Sequence, residues 1–226
     1  MLLLVTDTSG KNGTVALARA RERDREEIGV LEVVGLAGGM FSAQLVPQIA
    51  ALLQKHGLLK TDLDAFVVVS GPGSFTGLRV GLAAIKALAE ILKRPIAPVS
   101  LLELIAVASG SQGRVVAVLD GGRGDVFFGA YEIAGDSVQV LREELLSMSE
   151  FLSEARDSVV ATPDAALAAA ARDAGLPVFA LEPLSAEMIA RFGWKKLQTG
   201  ATVSPEQLEA NYMRRSDAEI FVKSGT

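Results

Sequence analysis

Twice in this chain an apolar strand runs into an aspartate, turns through glycines and resumes as a second strand. Leu2 to Thr6 ends at Asp7, turns through Ser9-Gly10-Lys11-Asn12-Gly13 and continues from Thr14 to Ala20. Val115 to Leu119 ends at Asp120, turns through Gly121-Gly122-Arg123-Gly124 and continues from Val126 to Ile133. Each pair of runs reads as a β-hairpin whose first strand delivers a carboxylate to the mouth of a glycine-rich turn. Two such hairpins, each followed by helical and strand patterns, predict a duplicated α/β fold in two lobes with a cleft between them.

The second constraint is the junction VVVSGPGSFTGLRVGL, Val67 to Leu82. Ala65 to Val69 is the apolar, β-branched run of a strand covered on both faces. Pro72 biases Gly71 away from the helical region, and Gly71 and Gly73 permit backbone angles that larger residues resist. A helix then starts near Ser74, with Ser74 or Thr76 as its cap, and Gly77 and Gly81 leave a groove without side chains along one face. A glycine turn entering a helix is also how proteins cradle phosphate. The dinucleotide fingerprint fails here because its sixth place is Thr76. The Walker loop fails because Gly10-Lys11 is followed by Asn12, and Ser74 lacks the glycine spacing of a nucleophile elbow. A tight strand-to-helix turn with close helix packing is the reading favoured over direct phosphate binding.

Length and composition narrow the class. With 226 residues, half of them hydrophobic, the chain can bury most of its apolar surface in one large domain or two small ones. No apolar run reaches the ~18 residues of a membrane span, and Met1 to Val5 meets Asp7 too soon for a signal peptide core. With no cysteine, disulfides and thiolate metal sites are excluded and a cytoplasmic location is expected. The formal charge of −5 argues against a free-standing nucleic-acid binder. The basic cluster Arg19 to Arg25 is interleaved with Glu22, Asp24, Glu26 and Glu27, so it reads as a solvated turn; Lys195-Lys196 and Arg214-Arg215 are the other clusters.

Helical spacing marks Phe41 to Leu53, Ser74 to about Leu92 and Leu101 to Ser109, with a short strand near Pro95 to Pro98 before the last of these. Composition places the lobe boundary at Ser109-Gly110-Ser111-Gln112-Gly113, giving lobes of residues 1–110 and 111–226. The second lobe reads as a helix near Ser149 to Ala155, a strand at Val159-Val160, an alanine-rich helix Asp164 to Ala174, a strand Val178 to Leu181 and a helix Ala186 to Leu197.

In chain order, LLLVTDTS, SAQLVPQIAALL, GPGSFTGLRVGLAAIKALA, LDGGRGDVFFGAYE and EANYMRRS together resemble the TsaB (YeaZ) family over nearly the whole sequence. The resemblance implies a two-lobed fold of the actin-like ATPase superfamily, which includes sugar kinases and heat-shock chaperones, here with a reduced second lobe. It implies a non-catalytic partner of the TsaD enzyme and the TsaE ATPase in threonylcarbamoylation of adenosine-37 of transfer RNA. It further implies a homodimer when alone, transfer RNA contacted only through the complex, and no cofactor, with ATP and magnesium only in the complex.

TsaD-like enzymes hold a metal through two histidines on one helix, and this chain has only His56. One imidazole beside Gly57 reads as a helix C-terminal residue, not a metal clamp. Phe41 stands where relatives commonly carry histidine, leaving that helix start more apolar. Asp7 and Asp120 are the candidates for a vestigial nucleotide site, since hairpin carboxylates can orient magnesium-bound water; the alternative reading makes them ordinary turn formers. Should they be active, the chain is a stand-alone kinase or a glycoprotease-like hydrolase. Arg123-Gly124-Asp125 spells an adhesion tripeptide by chance. The helix after Ser74 is apolar on more than one side, which fits burial within its own domain or docking on a helix pair of another chain. Under the second reading the partner interface is formed by Leu45, Ile49, Leu52, Ser74, Phe75, Gly77, Leu78, Gly81 and Ile85.

Overall fold

The structure, a computed structural model, describes residues 1–20 and 28–213. The first hairpin is β1 (Leu2–Asp7) and β2 (Gly13–Ala20), and the chain returns along β2 as β3 (Ile28–Leu36). The helix α1 (Phe41–Lys55) leads to β4 (Ala65–Gly71) beside β1, and α2 (Phe75–Leu92) leads to β5 (Ile96–Ser100) beside β4. The sheet order is β3-β2-β1-β4-β5, antiparallel in the meander and parallel in the crossovers.

After α3 (Leu101–Ala108) the same design is repeated. The hairpin β6 (Gly113–Gly122) and β7 (Asp125–Ala134) is extended by β8 (Ser137–Ser147). The helix α4 (Met148–Glu154) precedes β9 (Val159–Thr162), α5 (Ala165–Asp173) precedes β10 (Val178–Ala180), and α6 (Ala186–Gln198) follows. The order β10-β9-β6-β7-β8 is the first sheet's order read from its other edge, with the same parallel and antiparallel pairs. The duplication inferred from two hairpins therefore extends to five strands, and the two-lobed α/β class holds.

The compact units do not part at Ser109–Gly113. One unit is Met1–Ser100 with Ser185–Asn211, and the other begins at Leu101 and runs to Leu184 before taking up the chain again at Tyr212. The physical reason is an exchange of helices. Residues α3 contributes to a core, Leu102, Ile105 and Ala106, pack on Val115, Ala117, Phe127 and Tyr131 of the second sheet. In return α6 lies on β1 to β5 of the first sheet, close enough that a Cβ on Gly193 would stand 2.3 Å from Val67 Cγ1. Glycine there permits helix and strand to meet without an intervening side chain.

Strand alternation explains how each sheet fills two layers. Leu2 and Leu4 of β1, with Phe66 and Val68 of β4, join Leu45, Ile49, Leu78, Leu82 and Ile85 of α1 and α2 in one core. Their neighbours Leu3, Val5 and Val67 are equally buried and point to the side of α6. In the second unit Val116, Val118 and Phe128 meet Phe151 of α4 and Leu167 and Ala171 of α5. Helix starts are fixed by side-chain oxygens: Ser74, Ser147, Asp164 and Ser185 accept from backbone amides of α2, α4, α5 and α6, each cap contributing about 1 kcal/mol.

Strands β3 and β8 have no counterpart in the sequence reading. Both are sheet edges, with one polar or solvent-facing side. β8 carries Arg142, Glu143 and Glu144 in its middle, a charge run that breaks the apolar alternation and blunts an edge against unwanted pairing. Of the basic clusters, residues 21–27 and Arg214-Arg215 lie outside the described residues.

Candidate functional site

The junction is where β1, β4 and the start of α2 converge, and its glycines explain the convergence. Gly71 ends β4 at φ 134°, a conformation that side chains resist. From Gly73 the chain turns so that the Ser74 N–H donates to the Ser9 carbonyl at 2.7 Å, while Ser74 Oγ accepts from the Gly77 N–H at 3.3 Å. The turn of the first hairpin lies in the groove that the glycines leave open. A Cβ at Gly73 would be 2.4 Å from Ser9 O, at Gly77 2.0 Å from Thr8 O, and at Gly81 2.2 Å from Thr8 Oγ1. The Thr8 hydroxyl in turn donates to the Gly77 carbonyl at 2.7 Å. Two amides that an anion would use at this helix start are therefore already bonded within the chain, and the surface that would approach phosphate is covered by the chain's own backbone.

A third segment closes over the end of β4. The Asn211 N–H donates to the Ser70 carbonyl at 2.8 Å, and Asn211 O would lie 2.8 Å from a Cβ on Gly71. The role of Asn211 was not legible from spacing, since it lies in an irregular stretch far along the chain; only the tail motif EANYMRRS drew notice to it. Phe41, at the start of α1, is buried and points its ring at the same place, 3.0 Å from a Cβ on Gly13 and 3.2 Å from one on Gly77.

Asp7 ends β1 as a turn former. Its Oδ1 accepts from the Ser9 N–H at 2.8 Å and from the Ser9 hydroxyl at 2.6 Å, the bonding of an Asx turn. Burial pushes its carboxyl above the usual range, with the two Ser9 hydrogen bonds acting in the opposite direction. The folded chain then holds the proton more tightly than the unfolded one. Stability from this group is full below the unfolded value of 3.8 and declines as pH rises past it towards the folded value. Asp7→Asn, which keeps an acceptor for Ser9, should raise the melting temperature at pH 7 by an increment that shrinks to nothing below pH 3.8. Thermal melts of both proteins across pH check this, and an Asn variant less stable at neutral pH would mean the charge is used.

Asp120, in the second unit, is exposed, and its Oδ1 accepts from the Gly122 N–H at 2.8 Å. It closes the second hairpin turn, in which Arg123 adopts φ 60°. His56 caps the C-terminus of α1, with Nε2 2.9 Å from Glu32 Oε2 of β3, beside Lys55 Nζ at 2.6 Å from Oε1. Hydrogen bonding from Lys55, and secondarily from His56, holds the Glu32 carboxyl below its ordinary range.

The expected partner interface is corrected by burial. Leu45, Ile49, Leu52, Leu78 and Ile85 are core side chains at 5% exposure or less, and Gly77 and Gly81 face the hairpin turn. None of these offers surface to another chain. Ser74 is exposed and Phe75 half-buried beneath Arg79, whose guanidinium lies 3.6 Å from the ring centroid. A helix buried on two sides owes its second side to its own hairpin. What α1 and α2 present outward is a different stripe: Ala43, Val46, Pro47 and Ala50 on α1, and Ala83, Ala87 and Ile91 on α2. Val46 is 57% and Ile91 68% exposed, so the stripe is apolar surface without cover among the described residues.

Residues 35–219 match the family model described as TsaD: tRNA N6-adenosine threonylcarbamoyltransferase. The chain belongs to the TsaD family. Within the family it is 32% identical over 155 residues to the tRNA threonylcarbamoyladenosine biosynthesis protein TsaB of Bacillus subtilis, a stretch covering 67% of this chain and 65% of that one. It is 30% identical over 157 residues to TsaB of Haemophilus influenzae, covering 68% and 63%. The aligned stretches thus span slightly less than two thirds of those relatives. An uncharacterized protein of Mycobacterium tuberculosis aligns along more of its length, 29% identical over 224 residues and covering 96% and 93%. In fold the chain matches YeaZ from Pseudomonas aeruginosa with a TM-score of 0.69 at 24% identity, covering 93% of this chain and 99% of that one. Two of these relatives are named TsaB, and the likeness to YeaZ is one of fold.

Proposed function

We propose that this chain is a non-catalytic subunit of the machinery that makes threonylcarbamoyladenosine on transfer RNA, acting by holding a TsaD homologue, and with it a TsaE homologue, in a working arrangement. The pathway is suggested by the names its relatives carry. The observation that carries the non-catalytic reading is the filled junction: Thr8 and Ser9 occupy the glycine groove at the start of α2. Asp7 and Asp120 each spend a carboxylate oxygen on their own turn, which weighs against a stand-alone kinase or hydrolase. Docking is assigned to the outward stripe of α1 and α2, whose small side chains let another helix pair approach closely. The same stripe serves a homodimer when no partner is present. With a net charge of −5, contact with transfer RNA comes through the complex, and any ATP and magnesium are held there too.

The test is reconstitution with the TsaD and TsaE homologues. Omitting this chain should remove most multiple-turnover modification, and adding it back should restore activity up to about one equivalent of TsaD, whereas Asp7→Asn and Asp120→Asn variants restore it as well as the parent. Full modification without the chain, or turnover by the chain alone that those variants abolish, overturns the reading.

A further inference from the structure

The second unit carries an open groove of about 680 Å³ at the end of its sheet opposite the Asp120 turn. Its walls are the end of α4, the start of β9 and the turn from α5 to β10. Arg114 and Arg156 project there, both exposed, and neither guanidinium has an ion-pair partner among the described residues. Asp157 follows Arg156 in the lining at φ 63°, its carboxylate likewise unpaired among the described residues. Leu176 and Pro177 supply apolar surface, and Ser158 lies in the lining, 3% exposed, with a hydroxyl that has no hydrogen-bond partner.

We propose that this groove binds an acidic segment of a partner polypeptide, its carboxylates on Arg114 and Arg156 and an apolar side chain against Leu176 and Pro177. Two guanidiniums beside one carboxylate leave a net positive charge that a carboxylate neutralises with fork-shaped, charge-assisted hydrogen bonds. Asp157 decides between a polypeptide and a nucleic acid. Exposed beside Arg156, its negative charge repels a phosphodiester backbone, whereas the backbone N–H groups of a peptide can donate to it. The ends of α4 and α5 add carbonyl dipoles of negative sign, which disfavour a run of phosphates more than carboxylates each paired with an arginine. No aromatic side chain lines the groove for base stacking. This site is independent of the function proposed above.

The probe is a fluorescein-labelled peptide of alternating leucine and glutamate, titrated with the full chain and followed by anisotropy. The same peptide with glutamine for glutamate is the control, and a short single-stranded RNA is the competitor. Saturable binding should weaken about fivefold for each of Arg114→Ala and Arg156→Ala, the scale of an exposed ion pair, and should weaken further with salt. Asp157→Asn should not abolish it. In the parent protein, amide NMR shifts on titration should be confined to residues 112–114, 156–159 and 174–176, which tests the site without any substitution. Equal binding of the glutamine peptide, shifts centred elsewhere, no binding, or RNA displacing the peptide from the groove at equal strand concentration would each overturn the proposal.

Discussion

Gly77→Ala should lower the melting temperature by about 6 to 12 °C, although it adds a single methyl group. The Cβ would stand 2.0 Å from the Thr8 carbonyl oxygen and 3.2 Å from the Phe41 ring, so backbone must move against backbone. An inserted group in a packed site costs about 1 to 3 kcal/mol or more, and near the upper end each kcal/mol moves the midpoint of a chain this long by about 2 to 4 °C. The displaced turn also holds Asp7, and the Thr8 hydroxyl would lose the Gly77 carbonyl. Gly81→Ala should cost less, because its Cβ meets side-chain atoms of Thr8 and not the backbone of the turn. Circular dichroism melts of the two variants and the parent give the comparison. A Gly77→Ala protein that melts with the parent but fails to bind its partner would place the glycine face against another chain.

The paired substitution Ala50→Arg with Ala87→Arg should do the reverse. Both residues are exposed on the outward stripe of α1 and α2, so the isolated chain should fold and melt almost unchanged. Docked against an apolar helix pair, each guanidinium would lose water without gaining a partner, at a cost of several kcal/mol per ion. Association with the TsaD homologue should therefore weaken at least about a hundredfold, since about 1.4 kcal/mol is one factor of ten. Titration calorimetry and the reconstituted modification assay should fall together. Unchanged affinity would remove the stripe from the interface.

What the sequence made legible follows a physical division. Elements with a buried face and a sharp boundary could be read: the hairpins through their turn glycines, α2 through Ser74, and α5 through Asp164. The edge strands could not, because their chemistry is set by avoiding partners; the charge run Arg142 to Glu144 breaks the alternation by which a strand is read, and only the antiparallel register with β7 places it in β8. At the candidate site the sequence marked the right glycines and the wrong neighbour. Spacing shows that Gly77 and Gly81 leave a groove but carries no information on what lies in it, and the occupant, Thr8-Ser9, is a contact across more than sixty positions of chain. The same limit misplaced Leu45, Ile49 and Ile85, since an apolar residue on a helix is compatible with either a core or an interface.

The exchange of α3 and α6 means that the segment that is repeated is not the segment that folds. Each repeat, from its hairpin to its third helix, ends in a helix committed to the other repeat's sheet. A copy made alone would leave Val5 and Val67, or Ala117 and Phe127, facing water, with its own last helix having nothing to cover. A single-repeat chain could cover both faces of its sheet only by borrowing the last helix of a second copy, a trade that one continuous chain makes internal. Cutting this chain between the repeats would therefore yield two aggregating halves that are stable only when made together.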